Sequence, residues 1–111
     1  MNLYDLSGSG PDAEKFDPLF SLRGVRVERI ISHGQATPEG QWYDQAWDEW
    51  VLLISGSAAL EIAGLPEQIE LQAGDHYLLP AHQRHRVART DSQEPTIWLA
   101  LHFDQHKIAG E

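Results

Sequence analysis

The sequence contains no cysteine. That excludes disulfides, thiolate metal sites and cysteine nucleophiles, and it is compatible with a reducing cytosol. No apolar run approaches the ~20 residues of a membrane-spanning helix. The start, Met1-Asn2-Leu3-Tyr4-Asp5, has neither the basic residues nor the apolar stretch of a secretory signal. A cytoplasmic protein without a membrane partner is the expectation. Basic residues are scarce as well: 8 Lys and Arg face 17 Asp and Glu, for a net charge of −9. A phosphate-backbone binder needs a basic patch or stripe. The one short cluster, Arg84, Arg86 and Arg89, lies in an acidic background, so nucleic acid is not an expected partner. The sequence also lacks a glycine-rich phosphate loop, a zinc-protease helix motif and a nucleophile elbow.

What is present reads as one folded domain. The chain has 111 residues, of which 41% are hydrophobic, enough for a modest core. Residues 1–24 form a lead-in. Asp12 is placed to cap a short helix over 13–20, with Phe16, Leu19 and Phe20 on one face and Pro18 cutting into it. From residue 25 the hydrophobic period falls to two, and β-branched residues become dense. Strands are expected over 25–31, 49–54, 58–63, 68–71, 76–79, 85–89 and 96–103, with an irregular one over 41–47. Gly34, Gly40, Gly56, Gly64, Gly74 and Pro80 punctuate them. About eight short strands with turns between them predict an antiparallel sandwich or barrel over 25–104, followed by a polar tail at 105–111.

Two segments carry chemistry. Glu49 opens an apolar strand and shares its parity with Val51 and Leu53. If those two point inward, the carboxyl points inward at the mouth of the barrel, where it needs a cation, a proton or hydrogen-bond donors. His85 opens another strand and shares parity with Val87, while Asp44 lies just ahead of the Glu49 strand. Spacing alone does not make these strands neighbours. Arg84 and Arg86 alternate with His85 and point away from it, whereas Arg89 shares its parity. The four tryptophans, Trp42, Trp47, Trp50 and Trp98, are a high load for so small a domain. Trp42 and Tyr43 are read as pocket or rim residues, Trp50 and Trp98 as core or interface.

These segments resemble the paired motifs of the cupin superfamily. Gly40, Glu49 and Gly56 match the glycine, glutamate and glycine of the first motif, and Gly74, Pro80 and His85 match the second. The resemblance covers roughly residues 25–103 and is nearest to small bacterial single-domain cupins of uncharacterised function. It implies an all-β, double-stranded β-helix (jelly-roll, cupin-like) barrel with a short N-terminal helical segment, and a homodimer. It also implies one divalent ion (Zn, Fe, Mn or Ni) in the barrel, acting as a Lewis acid or an oxygen site on a small organic molecule.

The chain departs from that pattern at several positions. The paired histidines of the first motif are missing: Trp42 and Asp44, or Tyr43 and Gln45, occupy their places. His82 stands where the second motif usually has glycine. The carried-over metal set is therefore Asp44, Glu49 and His85, with Gln45 a weaker substitute. The candidate catalytic residues are His82 and Tyr43. Trp42, Gln45, His33, His102 and Arg89 are the candidate pocket residues. A binding or sensing module without turnover is the alternative to a metal-dependent enzyme.

Overall fold

The computed structural model describes residues 1–104. The expected polar tail at 105–111, which includes His106, lies outside the described residues. Eight strands follow one another: β1 (Lys15–Leu22), β2 (Val25–Ser32), β3 (Asp48–Ser55), β4 (Ser57–Ile62), β5 (Ile69–Gln72), β6 (His76–Leu79), β7 (His85–Thr90) and β8 (Thr96–Phe103). They form two antiparallel sheets, one of five strands in the order β1-β2-β8-β3-β6 and one of three in the order β5-β4-β7. Val51, Leu53, Leu79, Trp98 and Ala100 from the larger sheet pack on Ala58, Leu60, Ile62 and Leu71 from the smaller. The period-two pattern thus becomes one apolar layer between two sheets, as burial of alternate side chains requires.

Two expectations need correction. The sheets face each other as an open jelly-roll sandwich; neither closes into a barrel. No helix occurs among the described residues either. Lys15–Leu22 is an edge strand paired along its length with β2, with a register shift just after Pro18. At a sheet edge the missing N–H of proline is tolerated, and the spacing of Phe16 and Phe20 that looked helical is spent on backbone pairing. The expected irregular strand at 41–47 reduces to one bridge, Tyr43 to His85.

The lead-in is nevertheless ordered by one side chain. Arg29, 3% exposed, donates from Nε and Nη2 to the Asp17 carboxylate. Its Nη1 donates to the carbonyls of Asn2, Leu3 and Asp5. The guanidinium fork satisfies several acceptors at once. It ties the first residues over the face of β2 that carries the buried Val27, Arg29 and Ile31. Glu28 and Ile30 are left on the opposite face, toward the other sheet.

Candidate functional site

On β3, Glu49, Val51 and Leu53 are buried in alternation. The antiparallel register sets Glu49 opposite His102 and Val51 opposite Ala100 on β8, and Ala100 opposite Glu28 on β2. On the other sheet, His85 and Val87 lie opposite Ile62 and Leu60. These faces enclose a hollow of about 140 Å³. Its wall includes Ile30, Val51, Leu60, Leu79, Val87 and Trp98, and its polar groups are Glu14, Glu28, Tyr43, Gln45, Glu49, His85 and His102. A cavity of about 150 Å³ holds one benzene ring. Phe16 and Tyr43 are partly exposed and mark the open end.

Glu49 is 6% exposed. Burial pushes its carboxyl above the ordinary value of 4.5. A hydrogen bond with Gln45 pulls it back in part, His102 and His85 do so only when they carry a proton on both nitrogens, and Glu28 pushes the same way as burial. The Tyr43 hydroxyl is raised as well, by burial and then by the charges of Glu14 and Glu49, so the phenol stays neutral.

The hydrogen bonds fix both imidazoles. His102, 5% exposed, has its Nδ1 2.8 Å from the indole Nε1 of Trp47. Indole N–H only donates, so Nδ1 accepts and the ring proton sits on Nε2, which donates to Glu28 Oε1 at 2.9 Å. The contact between His102 and Glu28 is therefore a neutral imidazole on a carboxylate rather than an ion pair. His85, also 5% exposed, has its Nδ1 2.9 Å from the Gln83 carbonyl. Nδ1 donates there, and Nε2 has no partner among the described residues. The ring stacks on Tyr43, with centroids 5.5 Å apart.

The expected residues separate into two groups. Tyr43, Gln45, Glu49, His85 and His102 line the hollow. Asp44 does not: its Oδ1 is 2.9 Å from Nδ1 of His82, in a pair whose side chains are 50% and 71% exposed. Trp42 lies under the Arg84 guanidinium. His33 bonds the Ser9 hydroxyl. Arg89 pairs with Glu70 at the surface. Its parity with His85 is broken by a register shift in the pairing of β4 with β7, between Ala59 and Leu60; a bulge of this kind turns the following side chains over. Arg84 and Arg86 point outward, and Arg86 Nη1 is 2.7 Å from Glu61 Oε2.

The donor set does not fit the divalent ion that the resemblance implies. Among the described residues no three His, Asp or Glu side chains form a metal-sized cluster. Asp44 is held outside the hollow by His82, and both ring nitrogens of His102 are engaged. Glu49 and His85 alone are one carboxylate and one imidazole, short of the three or four donors usual for such ions. The metal-binding expectation is corrected accordingly.

Sequence reasoning overlooked Glu14, Glu28 and the Trp47–His102 bond. Glu28 has Ile30 as its parity partner, but Val27 and Ile31 on the opposite face are the more apolar, so the strand's alternation does not single out Glu28. They are buried too, beneath the lead-in, which periodicity does not reveal.

The match to known proteins agrees with this architecture. The family model for the cupin domain matches residues 30–102. The chain belongs to the cupin family. No curated protein matches it. Among solved structures it resembles a candidate mannose-6-phosphate isomerase of Ralstonia eutropha JMP134, at 49% identity and a TM-score of 0.89, covering 94% of this chain and 96% of that one. A protein of Thermus thermophilus aligns at 20% identity and a TM-score of 0.75, over 93% and 94% of the two chains. A cupin superfamily protein of Desulfitobacterium hafniense DCB-2 aligns at 16% and 0.71, over 88% and 84%. The last two share the fold.

Among the described residues no helix is long and apolar enough to cross a membrane.

Proposed function

We propose that the chain binds a small organic molecule in the hollow between its sheets, as a binding or sensing module that uses its own side chains in place of a metal. The observation that carries this reading is the buried His85 with an unpartnered Nε2, beside the buried Glu49 on an otherwise apolar wall. Apolar walls supply affinity, and a few placed polar groups supply orientation.

The Ralstonia protein is named for a hexose phosphate isomerase, and that chemistry does not transfer directly. Among the described residues no Arg or Lys lines this hollow, while three glutamates do. A phosphate needs cationic or N–H donors around it. A hexose phosphate is also larger than the benzene-sized space.

The test is ligand binding followed by tryptophan fluorescence, since Trp98 forms part of the wall. Cyclohexanol, a ring of the right size, is expected to quench or shift the emission saturably, and to do so equally after dialysis against a chelator. Val87→Phe, which fills the hollow, should abolish the response, and His82→Ala should not. Undiminished binding in Val87→Phe would place the ligand elsewhere and overturn the proposal.

A further inference from the structure

The hollow has an imbalance that bears on its ligand. Its hydrogen-bond donors are largely spent within the protein, while its acceptors are not. His102 Nε2–H is used by Glu28 and His85 Nδ1–H by the Gln83 carbonyl. Ser32 donates to Glu14 Oε2 at 2.5 Å and accepts from Trp98 Nε1. What remains for a ligand is His85 Nε2, on a ring only 5% exposed, the hydroxyl of Tyr43 at the open end, and the carboxylates of Glu14 and Glu28. Among the described residues neither carboxylate has a cationic partner: Glu14 has a hydroxyl and Glu28 a neutral imidazole. The basic residues nearest in sequence are engaged elsewhere, Lys15 and Arg29 with Asp17. The aromatic rings of Phe16, Tyr43 and Trp98 complete the enclosure.

We infer that the hollow selects a small organic ammonium ion, a protonated amine on an apolar ring or short chain. This rests on the lumen-binding reading above and adds the ligand's charge. An ammonium group brings only donors, which suits a site whose charged groups are carboxylates. In a shielded site two uncompensated carboxylates attract a unit positive charge far more strongly than in water. Aromatic faces add a cation–π contribution, and the apolar walls take the hydrocarbon body. An alcohol of the same shape gains the last term and one hydrogen bond but no charge attraction. A carboxylate is repelled.

Three ligands of one shape test it: cyclohexylamine, cyclohexanol and cyclohexanecarboxylate, titrated at neutral pH into the intact protein and followed by calorimetry and tryptophan fluorescence. Cyclohexylammonium is expected to bind about tenfold or more tighter than the alcohol, and the carboxylate weakest. Glu14→Gln keeps the bond from Ser32 and should reduce the amine's advantage over the alcohol several-fold. Glu28→Gln provides a second variant, each checked for an unchanged melting profile. If the alcohol binds as well as the amine, or the carboxylate binds best, the charge inference fails while the lumen-binding reading stands. If none of the three binds at millimolar concentration, both fall together.

Discussion

The molecule holds two acid–imidazole pairs drawn from the same two stretches of sequence, and they have opposite fates. Glu49 and His85 sit at the starts of β3 and β7, nearly sealed from water, and face one hollow. Asp44 and His82 sit in the connections just ahead of those strands and meet at the surface. The difference is backbone pairing. A residue inside a ladder has its direction set by the pleat and by which face is apolar. A residue in a connection points wherever the turn sends it. Desolvation follows direction: burial raises the acid of the first pair, and only the first pair can hold a ligand away from water.

The sharpest way to break this contrast is at the glycines that bracket the first motif. Gly56 has φ +81, and an added Cβ would lie 2.7 Å from Thr96 Cα and 2.9 Å from the Pro95 carbonyl oxygen. Gly40 has φ +83 but open space around it. Left-handed backbone alone costs a non-glycine residue about 1–2 kcal/mol, and overpacking adds about 1–3. Gly56→Ala should therefore lose about 3 kcal/mol or more in denaturant unfolding, and Gly40→Ala about 1. Equal losses would mean the first site is no tighter than the loop.

The next effect is a pH dependence peculiar to the buried acid. Because the folded state raises the carboxyl of Glu49, the native protein holds that proton where the unfolded chain has released it. Stability from this group is present at acid pH and is lost as pH climbs from about 4.5 through the folded value. Glu49→Gln should match the wild type in acid and exceed it increasingly toward neutrality, as read from melting temperature. A Glu49→Gln variant that is less stable at pH 7 than at pH 4, relative to wild type, would reverse the sign and refute the burial account.

Smaller effects belong to the surface pair. His82 has φ +63, in the place where the cupin pattern usually has glycine. His82→Gly relieves the left-handed strain, offsets it with chain entropy, and should stabilise by about 0.5–1 kcal/mol. Smallest of all, a double-mutant cycle between Asp44 and His82 should give a coupling of about 0.5 kcal/mol or less, as is usual for exposed pairs. A coupling of several times that size would make the pair more than a surface contact.

The same distinction explains how much could be read in advance. All seven strands expected from residue 25 onward in the regular pattern appear in the structure as β2 to β8, because alternating burial is written directly into them. β1 was mistaken for a helix because an exposed edge strand with a proline and a register shift does not keep a clean alternation. The inward sense of Glu49 followed from Val51 and Leu53. Arg89 was misplaced by a register shift that no residue type announces, and Asp44 by carrying the place of a missing motif histidine over to a residue in a connection. Glu28 escaped notice because both faces of β2 are covered, one by the other sheet and one by the arginine-tied lead-in. The neutral state of His102 depends on Trp47, 55 residues away in sequence, and no spacing rule reaches that far.

The most direct measurement is nitrogen-resolved NMR of the histidine side chains at neutral pH, before and after a ring-sized ligand is added. His102 should appear as the neutral form protonated on Nε2, and His85 as the form protonated on Nδ1, with ligand shifting the His85 Nε2 resonance and leaving His82 unmoved. A ligand that moves His82 and not His85, or a His102 ring protonated on both nitrogens, would contradict the site described.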